Sequence, residues 1–325
     1  MNKETENISE EEYLRRHIES VENKRILQNE TPRRSTQDNF DIHQGTPQKN
    51  STIQDLQYFS IDTRELPCSI FYPMGSYIQI RSARVSEIQY FSMVDDNNAY
   101  DILEKIGYIL SNCVRLKTPD GQTLSYLEIK DPDKFFIIFL IRELTFQKGN
   151  TLTTKIKCPT PGEEISVELR RENFDFWQAD PKIEPYYNPE GMCFSFVTIN
   201  DYEFHLSPPT IGAQKSFNEW IRNKTNSSEK INESFTKIFP YLLGGTWEIS
   251  QEDISNMEKD FQDDSKMDDV SFQFLNNVVS MMKFGLKGVK SFCSCGTEVR
   301  SNVIFPDGAR SLFIIPDAFD RFIKK

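Results

Sequence analysis

From the amino end, the chain holds few apolar positions before residue 52 and many after residue 57, where turn residues begin to separate short apolar runs. Ordered structure is therefore expected from about residue 57. Tyr77-Ile78-Gln79-Ile80-Arg81 alternates apolar and polar positions, as a half-buried strand does. Over 97–116, Ile102, Ile106, Ile109, Leu110 and Cys113 recur at three- and four-residue spacing, with Asp101, Glu104, Lys105 and Ser111 on the opposite side, so a helix is predicted. Asp131-Pro132-Asp133 reads as a helix start, with a capping acid, a proline at the first position and a second acid near the positive end of the dipole. The unbroken apolar run over 135–141 should bury that helix on nearly all sides, and Lys134 and Arg142 at its ends leave it too short to cross a membrane.

Two hairpins are expected next. In the first, 152–158 and 164–170 flank Pro159-Thr160-Pro161-Gly162, with Ile165, Val167 and Leu169 facing inward; in the second, 192–199 and 202–206 flank Asn200-Asp201. Beyond Pro208-Pro209 helices are predicted over 210–222, 230–243 and 250–261, with a polar loop over 223–229. A buried-type helix follows over 269–286, closed by Gly285 and Gly288, and then a short β-rich end over 289–292 and 298–305 with a final apolar set at 312–315.

The expected class is α+β: two helix-plus-β-hairpin modules, 53–207 and a mostly helical 208–325 ending in a β-hairpin, preceded by a disordered N-terminal arm over 1–52. The arm holds ten apolar and eighteen charged residues, too little apolar surface to offset the ordering entropy of a core. Within it Ser9 and Glu12 have capping-box spacing and Leu14, Ile18 and Val21 share one helical face, either a nascent helix or a segment that becomes helical on a partner. An internal echo suggests duplication. Residues 133–169 and 269–303 share one order, namely an acid at a helix start, an apolar helix, Phe, Gly, a strand, Cys, Gly and a β-branched strand.

Composition narrows the function. The chain has 325 residues, 38% of them hydrophobic, and a net charge of −11, a field that repels phosphate backbones and anionic membranes. Six scattered cysteines do not make a disulfide framework; with no apolar leader after Met1 and no membrane-length apolar run, a soluble protein of a reducing compartment is expected. The Asn-x-Ser/Thr sequons at Asn223, Asn226 and Asn232 then read as polar linker chemistry.

Catalytic signatures are missing. Neither nucleotide-binding glycine motifs nor His-Glu-x-x-His nor Gly-x-Ser-x-Gly occurs, and with His17 and His43 in the arm only His205 is placed to act as a base. Flanked by Phe204 and Leu206 on a strand, it reads better as a solvent-facing or hydrogen-bonded residue than as a catalytic one. Two stretches resemble damaged zinc knuckles, Cys158-Pro159-Thr160-Pro161-Gly162, with Pro161 where a second thiolate belongs, and Phe292-Cys293-Ser294-Cys295-Gly296, with Phe292 in the first position. Cys158, Cys293 and Cys295 are thus the candidate metal ligands, needing Cys193 or a histidine to make four; the alternative, preferred on sequence grounds, is that the turns survive without a metal and that no cofactor is bound. The chain has twenty-five phenylalanines; most should fill the core, and Phe305, Phe313, Phe319 and Phe322, mixed with Arg310, Arg321 and Lys325, are a candidate partner surface.

The order of features over 66–174 resembles the T-even-type bacteriophage baseplate hub protein family. It is carried by Leu66-Pro67, Tyr72, Gly75, Ile78, Ile80 and Arg81, then Leu140, Arg142 and Thr145-Phe146, then Cys158, Gly162 and Val167-Glu168-Leu169. The resemblance implies a noncatalytic hub subunit or hub assembly factor that acts by protein–protein interaction. Its partners would be other tail and baseplate proteins, with no nucleic acid and no membrane, in the virion tail baseplate assembled in the host cytoplasm. A tail-associated cell-wall hydrolase and a zinc-knuckle adaptor are the alternatives.

Overall fold

The computed structural model describes residues 57–314, apart from 147–151, 161, 200, 245–247, 264, 303–304 and 306–307. The expectations for the arm, for Pro161 and for Phe319 and Phe322 lie outside the described residues. Contacts divide the chain after Gln54, and the unit Asp55–Lys325 is α+β, with small antiparallel sheets among helices.

Strand β1 (Phe59–Asp62) pairs with β2 (Tyr77–Ile80), which buries Ile78 and Ile80 and leaves Tyr77 and Gln79 half-exposed, the expected alternation. Helix α1 (Val85–Ser92) leads to α2 (Ala99–Cys113), which starts where Asn98 Oδ1 accepts the backbone N–H groups of Tyr100 and Asp101. It stops at Cys113, short of the predicted end, because Val114 is extended and opens β3 (Val114–Lys117), which lies between β2 and β4 (Thr123–Leu124).

Helix α3 (Lys134–Thr145) buries seven consecutive residues from Phe136 to Arg142, as its apolar run requires. Its start differs from expectation. Residues 131–133 form a 3-10 turn; the expected capping acid, Asp131, accepts from Lys134 Nζ at 2.7 Å, and Asp133 turns inward to accept the Cys68 N–H at 2.9 Å and the Tyr72 hydroxyl at 2.7 Å. The hairpin of β5 (Thr153–Lys157) and β6 (Glu164–Glu168) follows, then β7 (Phe174–Phe176) and the sheet of β8 (Tyr187–Asn188), β9 (Cys193–Val197) and β10 (Glu203–Leu206), in the order β10-β9-β8.

Helix α4 (Ile211–Asn226), capped by Thr210, runs through the sequons at Asn223 and Asn226, so the loop expected over 223–229 is a turn shorter at its start. Helices α5 (Glu233–Leu242), α6 (Gln251–Phe261) and α7 (Asp269–Met281) begin at caps made by Asn232, Ser250 and Asp268. Helix α7 ends before the predicted 286, because Gly285 takes a left-handed φ of +96° and Leu286 opens β11 (Leu286–Phe292). A Cβ at Gly285 would stand 2.6 Å from the Pro132 carbonyl oxygen, so only glycine fits.

Strand β11 pairs with β12 (Glu298–Ser301) on one edge and with β7 on the other. That sheet crosses the module boundary read at 207/208. So does the main core, which runs from Leu66 through Phe136, Phe194, Leu206, Ile211 and Leu275 to Phe313. A second, smaller core of Ala213, Phe217, Trp220, Phe235, Phe239, Leu243 and Ile254 joins α4, α5 and α6. The boundary therefore marks a helical layer on a shared core. Phe313, expected at a partner surface, is buried against Phe91, and Phe305 packs on Phe135. Among the described residues no helix is long and apolar enough to cross a membrane.

Candidate metal centre

Two hairpin ends build the site. After β5, the Cys158 N–H donates to Glu163 O at 2.8 Å and the Gly162 N–H to Cys158 O at 2.9 Å; after β11, the Cys293 N–H donates to Thr297 O at 2.9 Å and the Gly296 N–H to Cys293 O at 2.9 Å. Both glycines have positive φ, +74° and +81°, where a side chain would be strained. Cys293 thus stands where Cys158 stands, as the first residue of its turn. The sequence reading, which put Phe292 in the first thiolate position, is one residue out of register. Phe292 is the last residue of β11 and is 69% exposed, and the second turn is a complete Cys-x-Cys-Gly.

Side by side, β5 and β6 pack against β12 and β11, which brings the two ends together. The Sγ atoms of Cys158, Cys293 and Cys295 all lie within 4.8 Å of one another, and the Cys158–Cys295 pair is 3.7 Å apart. All three are free thiols, Cys158 and Cys293 buried and Cys295 exposed. Their surroundings pull in opposite directions: burial pushes the Cys158 thiol up to about 11, whereas hydrogen bonding with Thr297 brings Cys295 down to about 7. Cys193, offered by the sequence as a fourth ligand alongside an unspecified histidine, does not join this group among the described residues, nor does His205.

Those two lie elsewhere, on the β9–β10 sheet. Ser195 and His205 are cross-strand partners, with Ser195 Oγ 3.0 Å from His205 Nδ1, Cys193 Sγ 3.9 Å from the same nitrogen, and Glu203 Oε1 3.4 Å from Nε2. Hydroxyl, imidazole and carboxylate stand in the order a nucleophile would need, but the His205 and Glu203 side chains are 55% and 63% exposed. No enclosing wall desolvates the hydroxyl, and water competes for each hydrogen bond. The histidine is solvent-facing and hydrogen-bonded, as its place between Phe204 and Leu206 suggested.

Sequence reasoning missed two buried polar groups. Lys130 and Asp133 sit with Tyr72 and Cys68 inside the core; Lys130 Nζ donates to Gly244 O at 2.9 Å, and the Lys130 N–H donates to the Tyr72 hydroxyl oxygen at 2.9 Å. Burial pushes Asp133 up to about 7 and Lys130 down to about 8. The Arg81 guanidinium grips Glu87 at 2.6 and 2.9 Å, and although burial works the other way, it holds the Glu87 carboxyl below its usual range. The available signal was small, because Lys130 and Asp133 lie in the polar run Lys130-Asp131-Pro132-Asp133-Lys134, which reads as surface. A cleft of about 440 Å³ runs beside Tyr90, Tyr100, Tyr108, Lys134, Gln214 and Arg222, its charges mixed and its tyrosines half-exposed or exposed. No family model, no curated protein and no solved structure matches this chain.

Proposed function

We propose that this chain is a noncatalytic subunit or assembly factor of a contractile phage tail baseplate hub, working by protein–protein contact. One observation supports it: the residues that carry the resemblance are used to build the fold. Leu66, Tyr72, Ile78, Ile80, Arg81, Leu140, Arg142, Cys158, Val167 and Leu169 are buried, and Gly75 and Gly162 hold positive-φ turns. A likeness spread over core and turns is a likeness of architecture, and the hub role comes with it by analogy. Its partners in this reading are other tail proteins, without nucleic acid or membrane, in particles assembled in the host cytoplasm. The helix-hairpin segments α3–β5–β6 and α7–β11–β12 are read as two copies of one unit, since each turn carries a cysteine in the same place followed by a left-handed glycine.

Partner contact falls to the arm over 1–52 and to apolar side chains that stand in water, such as Val197 and the 85%-exposed Ile199 beyond β9. The test is recovery of the full chain from infected cells with its bound proteins identified by mass spectrometry. Co-recovery of baseplate components, lost on deletion of 1–52 or in Ile199→Asp, is expected. Clearing of peptidoglycan by the purified chain, abolished by Ser195→Ala, would replace the proposal with a hydrolase.

A further inference from the structure

We infer that Cys158, Cys293 and Cys295 form a three-thiolate site for one zinc ion, which clips the β5–β6 hairpin to the β11–β12 hairpin. This goes beyond the hub reading and stands or falls independently of it.

Geometry carries the inference. Sulfurs bound tetrahedrally at the usual Zn–S length of about 2.3 Å stand about 3.8 Å from each other. Cys158 and Cys295 Sγ are already 3.7 Å apart, and Cys293 Sγ lies within 4.8 Å of both, so closing the site needs only a small rotation about a side-chain bond. Cys158 and Cys295 are 137 residues apart in the chain, and the three cysteines sit on two turns that each close with a glycine N–H donating to the cysteine carbonyl, with Gly162 and Gly296 permitting the tight return. The Thr297 hydroxyl oxygen stands 3.2 Å from the Cys295 sulfur, a neighbour of the kind that orients a metal-bound thiolate. Three sulfur donors select zinc or another soft ion over calcium or magnesium, which take oxygen.

On binding, each thiol gives its proton to solvent and forms one S–Zn bond, with no change of oxidation state. Cys295, the exposed member, leaves the site open to solvent, and water fills the fourth position. Such a link ties two hairpins distant in sequence and adds its binding energy to the folded state alone.

The test uses the full chain, purified without a metal-binding tag under reducing conditions and exposed to Zn²⁺, then gel-filtered and analysed for metal. One zinc per chain is expected in the wild type and in Cys193→Ser, falling to background in Cys295→Ser and Cys158→Ser. Because Cys158 is buried and its variant could misfold, Co²⁺ is added to the wild type as a second measurement, with thiolate-to-cobalt charge-transfer absorption expected at one equivalent. The inference is overturned by a wild type that takes up neither ion, by zinc retained at full stoichiometry in Cys295→Ser, or by loss confined to Cys193→Ser.

Discussion

At the scale of single residues, the buried charges govern pH response. Asp133 accepts two hydrogen bonds and, among the described residues, no ion pair, and its carboxyl is held protonated up to about pH 7 by burial. Below about pH 4 the carboxyl is protonated in both folded and unfolded chains. Between about 4 and 7 the unfolded chain releases this proton and the folded one keeps it, so stability falls as pH rises, by about 4 kcal/mol from this group. Lys130, lowered to about 8, acts in the opposite sense: the unfolded chain binds the extra proton between 8 and the ordinary lysine range near 10.5, so stability rises there with pH. Urea unfolding should therefore show this pair contributing least near pH 7 to 8, and Asp133→Asn should flatten the fall between pH 4 and 7. An unchanged slope in that variant would remove Asp133 from the account. Glu87 belongs to the opposite type. Its carboxylate is paired bidentately with Arg81 and also accepts the Arg84 N–H at 2.7 Å, so Glu87→Ala strands a buried guanidinium and is expected to cost about 3 to 5 kcal/mol by denaturant midpoint.

At the scale of elements, local pattern and tertiary contact divide the work. The alternation of β2, the apolar run of α3 and the helix start at Ser250 are short-range properties, legible because a strand or helix repeats within a few residues. What the pattern missed depends on distant partners. Helix α7 stops early because Gly285 passes against Pro132, and Asp133, read as an acid favoured by the helix dipole, turns instead to donors more than sixty residues earlier in the chain. The candidate metal centre was half legible. Its three cysteines were named from knuckle spacing, but the equivalence of Cys158 and Cys293 needed turn hydrogen bonds, and the meeting of the two turns needed the packing of β5 and β6 against β12 and β11. The small helical core tests element packing directly. Phe235 lies 4.5 to 6.0 Å, ring to ring, from Phe217, Trp220, Phe239 and Phe261. Phe235→Ala should cost about 3 to 5 kcal/mol, with faster amide exchange in α4 and α5 than in α3; a cost below about 1 kcal/mol would mean these helices do not pack as described.

At the scale of the molecule, the question is whether residues 57–207 and 208–314 are two folding units or one. Three links cross the junction. Strand β11 supplies the edge partner of β7, Lys130 and Thr210 form an isolated bridge with Asp131 N–H donating to Pro209 O at 2.8 Å, and Lys130 Nζ reaches Gly244. Apolar burial tells the same story: Phe194, on β9, touches Phe284 from beyond α7, and Phe91, on α1, is covered by Phe313. A fragment ending at 207 would leave Phe91, Phe174 and Phe194 without these covers, exposing to water side chains that each contribute roughly 1.5 to 3 kcal/mol when buried. A domain with typical net stability of 5 to 15 kcal/mol does not survive several such losses. Fragment 53–207 is therefore expected to lack near-ultraviolet circular dichroism and to bind hydrophobic dyes, whereas mixing it with 208–325 restores the tertiary signal. The intact chain should lose that signal in a single step, with α4, α5 and α6 separating from it only in variants such as Phe235→Ala that loosen their own core.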